Sequence, residues 1–218
     1  DSRYNRAPWA GIDAACWDLI GKSLDRPVYD LLCTEGEPER NIKIYASAGV
    51  EHEWYADGDQ FLIEEALRYK EEGYDAFKFR PGTDWAHAGM TLEKYVPILQ
   101  RLREAVGPNF RLMHEGLGTS LGSLEAIITD FAPVLEDLGF YWFEEAFGGT
   151  QYEYIDLFVR LKEAMPTVKV SGGERFRDRF ETQEWLDRQA LDIVQTDCNV
   201  TGLTENWYIA RMAHLRGI

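Results

Sequence analysis

Arg-Leu-Met-His-Glu at 111–115, Phe-Tyr-Trp-Phe-Glu at 140–144 and Val-Lys-Val-Ser-Gly-Gly-Glu at 168–174 are three short strand-like runs, each closing on an acid. The intervals from Glu115 to Glu144 and from Glu144 to Glu174 are 29 and 30 residues, about what one strand, one turn and one helix consume. A βα repeat of that period sets successive strand ends side by side, so carboxylates distant in sequence can converge. Oxygen-only donors of this kind suit a hard divalent ion, Mg²⁺ before Zn²⁺.

Nearer the N-terminus, Ala10, Ile12, Ala15, Cys16, Leu19 and Ile20 give one apolar face to a helix over 7–22. A Pro-initiated turn leads into Val28-Tyr29-Asp30-Leu31-Leu32, and an acidic, proline-containing loop occupies 34–40. From there the pattern alternates: strand 42–48, helix 57–72, strand 75–80, helix 91–106, strand 110–115 and strand 140–144. Helix 151–165, strand 168–172, helix 181–188, strand 191–196 and helix 203–216 complete it, with Gly73, Gly107, Gly139 and Gly217 as helix stops.

Six βα units predict a parallel sheet, and polar residues gather after strand after strand, as on the C-terminal rim of a barrel. No GxGxxG turn follows the first strand, which counts against an open dinucleotide-binding sheet. The expected fold is therefore α/β, a TIM-type barrel of about six units, incomplete against the eight of a closed barrel. Residues 1–40 are expected to form a linker helix and a segment leading into the barrel, and 41–218 the barrel itself. A capping domain and the last strands are expected to be missing.

The 218 residues are 45% hydrophobic, enough to bury a core, and carry a formal net charge of −15. That charge counts against nucleic acid and anionic membrane surfaces as partners, because both require clustered Lys and Arg. Cys16, Cys33 and Cys198 lie far apart without CxxC spacing, which fits a reduced protein. No run approaches the ~18 apolar residues of a membrane span and no signal sequence is evident, so a cytoplasmic location is expected.

Asp-Ala-Phe-Lys-Phe-Arg at 75–80 alternates, placing Lys78 and Arg80 on one face and Phe77 and Phe79 on the other. Two cations there are costly to bury unless acids face them; alone, such a pair is more often a surface strand. Beside a guanidinium and a metal, Lys78 is expected to have a lowered pKa and to act as a base. Of the adjacent acids, Glu144 is expected to point inward, leaving Glu145 to orient a ligand or pair with a cation. Glu174 follows Gly172-Gly173, a step that turns the backbone sharply at the rim, and its neighbour Arg175 is a candidate for substrate binding. Asp197, closing the sixth strand, is either a helix cap or the partner of a histidine on the next strand. His52 and His87, and likewise Trp54 and Trp85, follow the first two strands within reach of a substrate, although each alone is more often a plain loop residue.

Together these residues resemble the barrel portion of the enolase superfamily, and most closely its mandelate racemase branch. Residues 10–22, Ala-Gly-Ile-Asp-Ala-Ala-Cys-Trp-Asp-Leu-Ile-Gly-Lys, with Pro27-Val28-Tyr29-Asp30-Leu31-Leu32, are similar to the segment leading into that barrel. Phe-Lys-Phe-Arg resembles its second-strand Lys-x-Lys, and Glu115, Glu144 and Glu174 its Mg²⁺ ligands. Asp197 in Gln-Thr-Asp-Cys-Asn-Val-Thr-Gly-Leu-Thr-Glu resembles the aspartate of its His-Asp dyad.

The resemblance implies abstraction of a proton α to a carboxylate, with Mg²⁺ stabilising an enediolate. The leading expectation is a Mg²⁺-dependent lyase dehydrating a sugar acid, acting as a homo-oligomer on a small carboxylate. Racemisation or epimerisation of a 2-hydroxy acid is the rival, and an inactive barrel serving as a binding or structural protein is a third reading. Three positions depart from the pattern: Glu115 for Asp, Leu117 for Asn and Arg80 for the second Lys. With a pKa above ~12 an arginine is a poor base, so Arg80 is expected to bind a substrate carboxylate or to hold Lys78 deprotonated.

Overall fold

The computed structural model describes residues 7–49, 59–81, 85–118 and 120–218. In chain order its elements are α1 (Ala7–Leu24), α2 (Val28–Leu32), β1 (Ala46–Ala48), α3 (Gln60–Glu71), β2 (Ala76–Phe79), α4 (Trp85–Ala88), α5 (Leu92–Val106) and β3 (Arg111–Glu115). There follow α6 (Leu124–Ala126), a π-helical turn (Ile127–Phe131), α7 (Ala132–Asp137) and β4 (Trp142–Glu144). A 3₁₀ turn (Tyr152–Tyr154), α8 (Ile155–Ala164), β5 (Lys169–Gly172), α9 (Arg179–Asp187), β6 (Ile193–Val194) and α10 (Cys198–His214) complete the chain. The chain divides into two compact units, residues 44–171 and residues up to 43 with 172–218.

In the 44–171 unit, β1 to β5 pair in sequence order and every pair is parallel, with Lys78 opposite Met113 and Glu115 opposite Glu144. In the other unit Gln195 N donates to Gly172 O at 2.9 Å, which carries the strand order on to β6. The expected α/β class with six parallel strands is what forms. Parallel strands covered on both faces read as near-continuous apolar runs, and Ala76, Phe77, Phe79, Leu112, Met113 and Phe143 are all buried.

α5 buries Tyr95, Ile98, Leu99, Leu102 and Val106, an i, i+3, i+4, i+7 stripe. Thr91 caps it by accepting from Lys94 N. Against this helix lies His114, which is 0% exposed among the rings of Phe79, Phe131, Phe140 and Phe143 and sits 2.7 Å from Tyr95 Oη through Nε2. Complete burial pushes the His114 pKa down to about 3, so the ring is neutral.

Sequence periodicity misses the α6–α7 stretch. Ile127, Ile128, Phe131, Ala132 and Leu135 are buried at helical spacing, but Pro133 and the glycines at 116, 118 and 122 read as interruptions. The extra residue of the π turn and the placement of Pro133 near the start of α7 accommodate that break. β1 is also shorter than the expected 42–48, with Ile42 and Ile44 exposed.

In the second unit α1 departs from its expected packing. Of its residues only Ala10 and Gly21 are buried, while Ile12, Leu19 and Ile20 are exposed. Polar and small residues make its contact with α10 instead: Thr204 N donates to Asp13 Oδ2 at 2.9 Å, and Trp17 Nε1 to Thr204 Oγ1 at 2.9 Å. Gly202 breaks α10 with φ 82°, and a Cβ there would lie 2.9 Å from Asp13 Oδ2. The continuous helix beyond it matches the expected start at 203. Among the described residues, no helix is long and apolar enough to cross a membrane.

Candidate active site

β2, β3 and β4, with Arg80 just past β2, bring Lys78, Arg80, Glu115 and Glu144 together in the 44–171 unit. Lys78, 8% exposed, donates to both Glu144 oxygens, Oε1 at 2.8 Å and Oε2 at 3.0 Å. Its Nζ also lies 3.2 Å from Glu115 Oε2. Two residues on, and so on the same strand face, Arg80 reaches that same Glu115 oxygen at 3.0 Å. Tyr45 stands over the group, its ring 6.0 Å from Lys78 Nζ and edge-to-face with Trp142 at 5.1 Å.

Backbone bonds fix the two acids side by side. Gly116 N donates to Glu144 O at 2.8 Å, and the N–H groups of Leu117 and Gly118 both donate to Ala146 O. A Cβ on Gly116 would fall 2.2 Å from Glu145 O, so only glycine allows this approach. Glu145 takes a left-handed φ of 43°, and its N–H donates to Ser171 O. This bend takes the backbone at Glu145 out of the extended conformation that Glu144 keeps.

Charges this buried are stable only when matched. Two carboxylates and two cations balance formally. Burial lowers the Lys78 pKa, but the Glu144 hydrogen bond and charge, and then the Glu115 charge, outweigh it, so the net shift is upward. The expected lowering presumed a metal beside the amine; the contacts of Lys78 to both carboxylates, with the guanidinium paired to Glu115, act in the opposite direction. Burial, reinforced by the Glu144 charge, raises the Glu115 pKa despite the opposing Lys78 and Arg80. Burial also raises the Tyr45 pKa.

The remaining expected site residues belong to other elements of the chain. In the second unit Glu174 and Arg175 are exposed in a turn that Phe176 N closes on Gly173 O at 3.0 Å. Asp197 caps α10, its Oδ1 accepting from Asn199 N at 2.8 Å and Asn199 Nδ2 at 3.0 Å. His52 and Trp54 lie outside the described residues, as does the side chain of His87. Trp85 is a core residue, 2% exposed and packed on Tyr95 at 4.8 Å. Tyr45 went unrecognised in the sequence, although strand alternation within 42–48 was the signal that would have placed it.

Among the described residues, no three His, Cys, Asp or Glu side chains are grouped to hold a metal. Glu115 and Glu144 nonetheless form a donor pair that fits a hard divalent ion. Glu115 Oε2 is buried without a well-aligned hydrogen bond despite its two ion pairs, and the Lys78 ammonium already stands as a cation between the acids.

The profile of the Enolase C-terminal domain-like family matches residues 62–218. Arabinonate dehydratase of Saccharolobus solfataricus is 31% identical over 95% of the chain and 51% of its own length. D-galactarolactone cycloisomerase of Agrobacterium fabrum is 28% identical over 96% and 51%. The structure of a mandelate racemase/muconate lactonizing protein from Paracoccus denitrificans PD1222 complexed with magnesium superposes with a TM-score of 0.79 at 26% identity, covering 98% of this chain and 54% of that one. The chain thus spans about half the length of the curated relatives it matches. Its parallel βα order, its strand-end acids and the family profile over most of its length agree: the chain belongs to the Enolase C-terminal domain-like family.

Proposed function

We propose that the protein is a Mg²⁺-dependent lyase that removes the α-proton of a sugar acid and expels its β-hydroxyl as water. The observation that carries this reading is Lys78, a buried amine 2.8 Å from Glu144 and 3.2 Å from Glu115. Glu115 and Glu144 would hold the divalent ion, with Glu174 proposed as a third ligand on the resemblance alone. When bound, the ion supplies the positive charge that makes the α-proton of a coordinated carboxylate acidic.

Lys78, on its flexible stem, takes the α-proton once it has left the carboxylates and given up its ammonium proton to solvent. Arg80 keeps a permanent charge at the half-exposed edge of the site and steadies Glu115. Asp197 is proposed as the orienting partner of a histidine, with Glu145, Arg175, His52 and His87 as contacts to the substrate hydroxyls and carboxylate. Support comes from relatives named as dehydratases. A cycloisomerase among them favours a second outcome from the same α-proton step, without net loss of water.

The test is α-proton exchange in D₂O across a panel of acid sugars with Mg²⁺, alongside detection of a 2-keto product. Exchange with keto product, both lost in Lys78→Ala, supports the lyase. Exchange without keto product moves the assignment to isomerisation. Exchange that survives Lys78→Ala undiminished sinks the role of Lys78.

A further inference from the structure

We propose that Lys78 is the resident occupant of the cation position between Glu115 and Glu144, and that a divalent ion enters by displacing it. Metal loading and release of the amine are then one event. This inference rests on the reading of Glu115 and Glu144 as metal ligands given above.

Position carries the argument. Lys78 Nζ lies 2.8 and 3.0 Å from the two Glu144 oxygens and 3.2 Å from Glu115 Oε2, so it stands in the gap that the two acids share. A Mg²⁺ ion held about 2.0–2.1 Å from these oxygens would stand only about 4 Å from an ammonium still bonded to them, close enough for the two positive charges to repel strongly in a site shielded from water. Charge points the same way. Two carboxylates, Glu144 buried and Glu115 half-buried, held side by side by the Glu115–Glu144 register repel unless a cation stands between them. Lys78 and Arg80 balance them formally, and a divalent ion added without moving either would leave the site with excess positive charge, even with Glu174 counted as a third ligand.

Of the two cations, Lys78 is the one that can leave. Its compact ammonium sits on a four-carbon stem, whereas Arg80 holds Glu115 from a side chain that is 44% exposed and so escapes most of the desolvation cost. The Lys78-closed arrangement therefore competes with metal. Apparent affinity falls by the fraction of molecules in the open state, so a closed population of about nine-tenths weakens binding about tenfold.

The experiment is a calorimetric titration of Mg²⁺ into the wild type, Lys78→Met and Glu144→Gln. Methionine keeps the stem and removes the charge. The expected result is binding about tenfold tighter in Lys78→Met and lost in Glu144→Gln. Equal or weaker binding in Lys78→Met, with Glu144→Gln still defective, overturns the competition and leaves the metal site standing. A wild type that binds no Mg²⁺ at millimolar concentration overturns both. If Lys78→Met does not fold, amine acylation of the wild type read at Lys78 by mass spectrometry replaces it. Labelling that rises severalfold with Mg²⁺ supports displacement, and labelling unchanged or reduced while Mg²⁺ binds overturns it.

Discussion

Arg80 and Glu115 form an ion pair of 3.0 Å, and both are positions where the chain departs from the pattern it resembles. The extra methylene of glutamate carries the carboxylate out to where a guanidinium and an ammonium share it, so the two departures answer one another. A double-mutant cycle of Arg80→Lys and Glu115→Asp by urea unfolding is expected to give a coupling of about 0.5–1 kcal/mol. The value is kept small because the Arg80 side chain is 44% exposed. Strict additivity of the two changes would show that the departures are independent.

Removing the Lys78 charge exposes what it holds down. Lys78→Met takes the ammonium from between two buried acids and is expected to cost about 3–5 kcal/mol at pH 7, the usual penalty for breaking a buried pair. The pH dependence has a definite sign. The Lys78 pKa is raised above its ordinary 10.5, so its stabilisation is complete below pH 10.5 and is lost as pH rises through the folded value. Urea unfolding of the wild type should therefore weaken above that pH, and Lys78→Met should lack this part of the alkaline limb. An identical alkaline limb in both proteins would remove Lys78 from the account.

His114, being buried, is expected to steepen the acid limb of the stability curve. Its pKa falls from 6.5 unfolded to about 3 folded, so the unfolded chain binds the proton more readily and stability drains away as pH falls from 6.5 towards 3. At about 1.4 kcal/mol per unit the loss amounts to several kcal/mol. His114→Phe, placed among rings already present, is expected to flatten the stability curve over that window. A slope left unchanged would mean that other groups carry the acid sensitivity.

Much of this site was legible in the chain. Alternation set Lys78 and Arg80 on one face, and the spacing of acids set Glu115 beside Glu144, because both follow from backbone geometry that any strand obeys. What stayed hidden depended on partners rather than on local pattern. The upward Lys78 pKa needed the two contacts to Glu144 and Glu115, and the Arg80–Glu115 pair needed the cross-strand distance. The exposed Ile12 and Leu19 of α1 could not be foreseen from periodicity, since Asp13 and Trp17 hold α10 by hydrogen bonds to Thr204. The helix after β3 was hidden by Pro133.

Gly116 gives the most local test of how the acids are positioned. A Cβ there would sit 2.2 Å from Glu145 O and 3.4 Å from Glu144 O, both backbone atoms that cannot swing aside. Gly116→Ala must therefore push the chain after β3 away from the chain after β4, breaking the 2.8 Å bond from Gly116 N to Glu144 O. Overpacking of this kind costs about 1–3 kcal/mol, a Tm lower by roughly 2–12 °C for a chain of this size. Gly11→Ala in α1, where an added Cβ meets nothing within 4 Å, serves as the control and is expected to be neutral or stabilising by up to ~1 kcal/mol. Thermal unfolding of both variants decides the matter: equal Tm values would show that the Gly116 contact relaxes without strain and that the alignment of the two acids rests on the β3–β4 register and the Lys78 contacts instead.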